Sequence, residues 1–211
     1  MVIKPHDLLK LNEGLSFLEN GPFPGWARES VIKTPFVVVR RSPVTADKIP
    51  IGIRGKFRSQ RFAAHIHQNE VEEVISPEKL VRQKRWHENC RTDAIQVMKA
   101  IQRVDEMAGA YQLDWGPTGS AGFELASDFP AVMIKSDLDL LIRVPDPVSV
   151  ETLRRLSSDL DSLGVRTDCQ LETSAGAVSL AEFSRGEKPL LLRTINGPVL
   201  VHDPWHYPDS C

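Results

Sequence analysis

The sequence has few cysteines and no long hydrophobic run, and these absences exclude several classes of protein. No stretch of about 18 consecutive apolar residues occurs, so we expect neither a transmembrane helix nor a membrane partner. The first residues, Met-Val-Ile-Lys-Pro-His-Asp, lack the basic and apolar regions of a signal peptide. Cys90, Cys169 and Cys211 show no CxxC spacing, which predicts free thiols in a reducing compartment. The expected location is therefore the cytoplasm.

The composition is typical of a globular protein, with 41% hydrophobic and 26% charged residues among 211. Residues 1–100 carry 17 Lys and Arg against 11 Asp and Glu, whereas residues 101–211 carry 9 against 17. This asymmetry suits a polyanionic substrate, although an unevenly charged surface explains it equally well. A net charge of −2 without an aromatic-rich basic stripe argues against a nucleic acid substrate.

Local patterns predict a smaller mixed domain over residues 1–85 and an α/β domain over residues 86–211. Residues 1–30 show no regular pattern and are interpreted as irregular. Alternation and β-branched residues predict strands, whereas apolar residues at helical spacing and capping residues predict helices. The predicted strands are 36–41, 49–54, 166–173, 190–194 and 198–202, and the predicted helices are 76–84, 93–108 and the segment from Ser149 to Gly164.

The most informative feature is Gly119-Ser120 followed, seventeen residues after the serine, by Asp137-Leu138-Asp139. Residues two apart on a strand share a face, so Asp137 and Asp139 should stand side by side while the leucines between and after them enter a core. Paired carboxylates suit Mg²⁺, which is often held by one or two carboxylates together with substrate phosphates. A Gly-Ser turn can offer backbone N–H groups to those phosphates. Together they predict a metal-dependent phosphoryl or nucleotidyl transfer site.

Longer segments resemble known families. The Gly-Ser and Asp-x-Asp arrangement is similar to that of the nucleotidyltransferase superfamily that includes polymerase β. The segments Trp115–Ser127 and Ser136–Ile142 resemble the phosphoribosyl-dephospho-CoA transferase of malonate decarboxylase. So do Ile49–Gly55, Ser59–Ala64 and Gly197–Trp205, and the matches extend over nearly the whole chain.

The resemblance implies both a fold and a reaction. The fold would be α/β (α+β), with a polymerase-β-like nucleotidyltransferase domain built on a mixed sheet and a smaller N-terminal mixed domain that binds the carrier or CoA. The donor would be 2′-(5″-triphosphoribosyl)-3′-dephospho-CoA. The acceptor would be a serine hydroxyl of the acyl carrier protein of malonate decarboxylase, and pyrophosphate would be released.

The resemblance also implies residue roles at the metal. Asp137 and Asp139 would hold one or two Mg²⁺ ions, with Mn²⁺ as an alternative. A third carboxylate usually completes such a site from a neighbouring strand. Asp168 is our choice and Glu172 the alternative, although Asp168 also fits a solvent-facing strand residue.

Further residues would bind the substrate. Gly119 and Ser120 would hold the β and γ phosphates, and Gly122 allows the backbone to approach them closely. Arg54 and Arg61 are the better candidates among the N-terminal cations for CoA phosphates or an acidic carrier protein, against the alternative of charged strand ends.

Two other functions remain open from the residues alone. One is a different Mg²⁺-dependent nucleotidyltransferase that modifies a small molecule or RNA. The other is a non-catalytic scaffold that binds a carrier protein. The intact pair Asp137 and Asp139 argues against the scaffold, because a protein without catalysis has no need to tolerate adjacent carboxylates.

Overall fold

A computed structural model describes residues 3–13, 23–43, 48–57, 59–186 and 188–206. The chain divides into two structural units, residues 1–76 (unit 1) and residues 77–211 (unit 2). Unit 1 contains an antiparallel sheet and unit 2 a mixed sheet, so the predicted α+β architecture with two domains is confirmed. Residues 77–85, which the sequence analysis assigned to the smaller domain, are part of unit 2.

Unit 1 is built on five antiparallel strands in the order β4-β3-β2-β1-β5. The strands are β1 (Leu8–Leu11), β2 (Phe36–Val39), β3 (Lys48–Arg54), β4 (Arg61–His67) and β5 (Val71–Ile75), and the helix is α1 (Gly25–Lys33). One face of the sheet is covered, because Ala27 and Val31 of α1 join the core cluster with the inward residues of the strands. On β4 the alternation leaves Ala64 and Ile66 buried between exposed neighbours.

The predicted strands 36–41 and 49–54 are confirmed by β2 and β3, which pair as antiparallel neighbours. The expectation that residues 1–30 are irregular was wrong at β1 and at the start of α1, while residues 14–22 lie outside the described ranges. β1 is only four residues long and α1 begins at Gly25, so neither carries a long periodic signal. Their structure comes from the sheet and core that surround them.

Unit 2 is built on a six-stranded sheet in the order β11-β10-β9-β8-β7-β6. Its strands are β6 (Asp114–Pro117), β7 (Leu138–Arg143), β8 (Thr167–Glu172), β9 (Ala177–Ser179), β10 (Leu190–Thr194) and β11 (Gly197–Val201). Its helices are α2 (Pro77–Arg82), α3 (Gln96–Tyr111), α4 (Gly119–Ser127), α5 (Val150–Asp161) and α6 (Leu180–Arg185). Strands β7 and β8 are parallel and connected through α5, whereas the other neighbouring pairs are antiparallel.

Several predicted elements of unit 2 have visible local causes. The Ser149 hydroxyl accepts the Thr152 N–H at 3.1 Å and begins α5, and Gly164 adopts a φ of +73° beyond its end. The predicted hairpin of β10 and β11 is present, and it turns at Ile195-Asn196, because Thr194 pairs with Gly197. The short elements β9 and α6, of three and six residues, were not predicted.

Two expectations about cysteines and membranes can be compared with the structure. Cys90 is exposed and Cys169 is buried, and both are free thiols, whereas Cys211 lies outside the described residues. Within the described ranges, no helix combines the length and the apolar character that a membrane crossing requires.

Candidate functional site

Strand β7 positions the two carboxylates of the Asp-x-Asp motif. Leu138 and Leu140 are 0% and 1% exposed, while Asp137 and Asp139 are partly exposed. The burial of Leu138 and Leu140 on either side of Asp139 follows the predicted alternation, while Leu141, on the face of Asp139, is also buried. The strand begins at Leu138, whose N–H donates to the Arg166 carbonyl at 2.8 Å on the entry to β8.

Gly119, the first residue of α4, lies directly against the carboxylate of Asp139. A Cβ placed on Gly119 would be 1.7 Å from Oδ2 of Asp139, and the residue has a φ of +56°. The preceding Thr118 N–H donates to the Asp139 carbonyl at 2.8 Å. The structure thus brings the Gly-Ser and Asp-x-Asp motifs into contact, and a side chain at position 119 would displace the carboxylate.

The other two small residues of the motif are buried in the first turns of α4. Ser120 is 7% exposed. A Cβ on Gly122 would lie 2.4 Å from the Pro117 carbonyl oxygen, so Gly122 lets α4 pack closely on the end of β6. This is a packing role, and a part for Gly122 in substrate binding stays a prediction. The first N–H groups of a helix have no partner within it and point toward anions in front of its N-terminus.

The two candidates for a third carboxylate lie at opposite ends of β8. Asp168 pairs in register with Asp139 of β7, and directly paired strand residues point to the same face. Glu172 pairs with Arg143 at the other end, and its Oε1 lies 4.0 Å from Nη1 of Arg143. The register therefore favours Asp168 over Glu172. In the described part of the chain, no three His, Cys, Asp or Glu side chains are grouped closely enough to hold a metal ion.

Asp137, which precedes β7, and Asp139 within it could nevertheless hold a Mg²⁺ ion together with substrate phosphates. Asp137 and Asp139 supply hard oxygen ligands, and Gly119 leaves space beside the second of them. Oδ1 of Asp137 lies 3.8 Å from Nε of Arg166, whose side chain is 81% exposed. Such an exposed arginine is held weakly and can move toward an incoming phosphate.

Cys169 is adjacent to Asp168 on β8 but is not a nucleophile of this site. It is buried, on the face opposite to Asp168. Burial, with a smaller contribution from Asp168, raises the pKa of the Cys169 thiol far above its ordinary value. The thiol therefore stays protonated and inert.

A buried carboxylate that the sequence analysis missed lies on α4. Glu124 is 1% exposed, and its Oε2 accepts the backbone N–H groups of Ala131 and Val132 and Nη1 of Arg91, all at 2.8 Å. Arg91 also donates from Nη2 to the Val132 carbonyl at 2.8 Å. A lone glutamate in the apolar segment Gly-Phe-Glu-Leu-Ala was the available signal, since buried carboxylates are rare without partners.

The far end of β7 is closed by ion pairs and by the C-terminal segment. Nε of Arg143 donates to Oε1 of Glu78 at 2.6 Å, and both side chains are less than 16% exposed, at 12% and 15%. Nε1 of Trp205 donates to the Val144 carbonyl at 2.8 Å, and its ring packs edge-on against Phe183. This end has the contacts of a structural core.

A cavity of about 320 Å³ lies beside α2, α3 and the start of β6, whereas Gly119 follows the end of β6. Asp105 and Gln112 contribute to its wall, as does Trp115, which is 5% exposed and stacks on Trp86 with ring centroids 6.4 Å apart. None of the predicted site residues lines this cavity.

Arg54 and Arg61 belong to unit 1. They are direct cross-strand partners on β3 and β4, where Arg61 is exposed and Arg54 is half-buried. The register thus places two arginines side by side on the sheet. Their predicted role in binding substrate stays a prediction.

Comparison with known families accounts for most of the chain. Residues 83–204 match the phosphoribosyl-dephospho-CoA transferase MdcG C-terminal domain, and residues 4–77 match the N-terminal domain of the same name. The chain belongs to the phosphoribosyl-dephospho-CoA transferase family. It is therefore a transferase, and the resemblance to phosphoribosyl-dephospho-CoA transferases is confirmed.

Individual relatives in this family match over almost their full length. A phosphoribosyl-dephospho-CoA transferase of Pseudomonas syringae pv. tomato is 38% identical over 213 residues, covering 100% of this chain and 97% of the relative. Proteins with the same name from Pseudomonas putida and Klebsiella pneumoniae are 38% and 37% identical, each covering 96% of this chain and 95% and 96% of the relative. No solved structure gives a significant match.

Proposed function

We propose that this transferase moves a 2′-(5″-phosphoribosyl)-3′-dephospho-CoA group from its triphosphate precursor to a serine of the acyl carrier protein of malonate decarboxylase. The family name supports the CoA-derived group. The arrangement of Gly119 against Asp139 supports the triphosphate donor, because a glycine-started helix and a carboxylate pair suit a metal-bound polyphosphate.

In the proposed reaction, the serine Oγ attacks the phosphorus atom nearest the added ribose. A new phosphorus–oxygen bond forms to the serine, and the bond from that phosphorus to the bridging oxygen of the β-phosphate breaks. Pyrophosphate leaves with this electron pair, and the hydroxyl proton passes to solvent. The protein's task in such transfers is mainly positioning and charge stabilisation.

Asp137 and Asp139 would hold Mg²⁺, with Asp168 as the candidate third carboxylate. A bound Mg²⁺ supplies neutralising charge for the triphosphate and the departing pyrophosphate. The first N–H groups of α4 would hold phosphate oxygens, because the helix begins at Gly119 next to Asp139. Arg54 and Arg61 would bind either the CoA phosphates or acidic residues of the carrier.

One observation carries this proposal. The absence of a side chain at position 119 lets the start of α4 touch the Asp139 carboxylate, where a Cβ would be 1.7 Å from Oδ2. A donor phosphate placed at the helix start would consequently lie next to a metal on the carboxylate. The same contact would be unnecessary in a scaffold that only binds a carrier protein.

The test is a mass measurement on the carrier protein after incubation with the triphosphate donor and Mg²⁺. Wild-type enzyme should increase the carrier mass by the phosphoribosyl-dephospho-CoA group and release pyrophosphate in equal amount. Asp137→Ala should leave the carrier unmodified at the same time point. Asp146→Ala, an exposed acidic residue beyond β7, is the matched control and should behave as wild type.

Each alternative function gives a different result in that experiment. Pyrophosphate release from an ordinary nucleoside triphosphate without carrier would support a different nucleotidyltransferase. Carrier binding by wild type and Asp137→Ala alike, with no mass increase in either, would support a scaffold. An unmodified carrier with wild-type enzyme would reject the proposal.

A further inference from the structure

We propose that Glu124 is a positioning residue that holds the chain leading into Asp137 and Asp139 against the helix that begins at Gly119. This inference rests on the proposed function, since it assumes that these two motifs form one site. Glu124 belongs to α4, the same helix as Gly119, and is 1% exposed. It therefore does not itself contact substrate.

Glu124 acts on the segment after α4 through hydrogen bonds to its backbone. Oε2 accepts the N–H groups of Ala131 and Val132, each at 2.8 Å, and the two residues are 8% and 0% exposed. Arg91 bridges the same points, donating to Oε2 of Glu124 and to the Val132 carbonyl at 2.8 Å each. Asn89 approaches the other oxygen, Oε1, at 3.4 Å. The Glu124 carboxylate thus connects α4 to the loop that follows it.

Further hydrogen bonds carry this link to the candidate metal ligands. The Met133 N–H donates to Oγ of Ser136 at 2.9 Å, and the Ser136 N–H donates to the Met133 carbonyl at 3.0 Å. Asp137 follows at once, and Leu138 is then held by β8. The N–H of Thr118, the residue before α4, donates to the Asp139 carbonyl, so Asp139 is hydrogen-bonded to the start of the same helix. Movement of the loop at Val132 would therefore displace Asp137 relative to Gly119.

For this role, the length of the Glu124 side chain matters more than its charge. Three donors converge on Oε2, and the oxygen of a glutamine amide can accept from the same place. Arg91 is 33% exposed, so water can solvate its charge when the carboxylate is removed. An aspartate keeps the charge but is one methylene shorter, and its oxygens would not reach both N–H groups.

The experiment compares Glu124→Gln with Glu124→Asp in the full chain, using amide hydrogen exchange and transfer kinetics. Glu124→Asp should raise exchange in residues 131–139 and lower kcat/KM by about 10²-fold, the cost of a misplacement near 1 Å. Glu124→Gln should lie closer to wild type in both measurements. Arg91→Lys, which replaces the two nitrogens that reach Glu124 and Val132 separately by a single ammonium, should raise exchange in the same segment to a smaller extent.

Glu78→Asp and Glu78→Gln are the matched controls, because Glu78 forms a mostly buried ion pair with Arg143 at the other end of β7. Neither should alter exchange in residues 131–139. Unchanged exchange in Glu124→Asp, or a Glu124→Gln variant that is as impaired as Glu124→Asp in both measurements, would overturn the proposal. If wild type transfers nothing, the proposed function fails, and hydrogen exchange alone still decides whether Glu124 holds the loop.

Discussion

The two ends of β7 carry opposite charges on one face, and their surroundings differ. Arg143, at the end of the strand, lies beside Glu78 at 2.6 Å and Glu172 at 4.0 Å, with all three side chains 12–15% exposed. Asp139, near the start, has another carboxylate, Asp168, as its partner in register and a glycine against its oxygen. The Arg143 end pairs opposite charges at short range, whereas the Asp139 end brings two carboxylates into register, with Arg166 lying 3.8 Å from Asp137.

We therefore expect the Arg143 end of β7 to contribute mainly to stability and the Asp139 end mainly to activity. Substitutions at the Arg143 end should destabilise the protein, because a buried ion pair that loses one member leaves an uncompensated charge. Substitutions at the Asp139 end should destabilise the fold less, because Asp137 and Asp139 are only partly buried. The following predictions test this separation.

Removal of the central carboxylate should have the largest effect. Asp139→Ala should lower kcat by about 10³-fold, comparable to the loss of a strong electrostatic stabiliser in other enzymes. Carrier modification followed by mass spectrometry measures it, and denaturant unfolding should show a smaller loss of stability than a substitution at the Arg143 end. If Asp139→Ala were unstable but kept normal turnover per folded molecule, the expected role of Asp139 in activity would be wrong.

At the opposite end, Glu78→Ala should remove the partner of Arg143 and lower the free energy of unfolding by about 3 kcal/mol. Urea denaturation measures this loss. Turnover at a temperature where the variant is folded should stay close to wild type. Glu151→Ala, which removes an exposed ion pair with Arg155, is the control and should cost less than about 1 kcal/mol.

The contact between the motifs is tested by Gly119→Ala. A Cβ there meets Oδ2 of Asp139 at 1.7 Å and sits on a backbone with a φ of +56°, so the carboxylate or the helix start must move. We expect kcat/KM to fall by about 10²-fold. Gly109→Ala in α3, where a Cβ meets open space, should instead stabilise the protein by about 0.5–1 kcal/mol. Equal activities of the two variants would contradict the prediction.

The identity of the third carboxylate can be decided by two isosteric changes on β8. Asp168→Asn should lower kcat by about tenfold, because it removes the carboxylate in register with Asp139. Glu172→Gln should change stability more than turnover, since its neighbour is Arg143. The titration of activity with Mg²⁺ should shift only for Asp168→Asn. A shift for Glu172→Gln alone would assign the role to Glu172.

The smallest effect is expected at the C-terminal segment that packs at the Arg143 end of β7. The Trp205 N–H, with a smaller contribution from His206, lowers the pKa of Asp203 below its ordinary 3.8. A lowered pKa gives stability that is present above that value and lost as the pH falls through the native value. Below about pH 4, wild type should therefore lose more stability than Asp203→Asn. The difference in the free energy of unfolding should be under about 1 kcal/mol, because Asp203 is 51% exposed and solvent screens its charge. Equal acid unfolding profiles would show that Asp203 contributes nothing.

Prediction from the sequence succeeded where neighbours along the chain decide the structure. The capping hydroxyl of Ser149 and the apolar spacing that follows it belong to one helix, and the hairpin turn at Ile195-Asn196 joins strands that are neighbours in sequence. It failed at β1 and α6, which are too short for a period to show and depend on partners distant in sequence.

By itself the sequence determined that Asp139 lies on a strand between two inward-facing leucines, because strand alternation is a local property of the backbone. Only the tertiary structure decided that Asp168 lies opposite Asp139, that Gly119 touches its carboxylate, and that Glu124 holds Val132. These contacts join residues on different elements, and their distances follow from how the strands and helices pack. No periodicity along the chain encodes that packing.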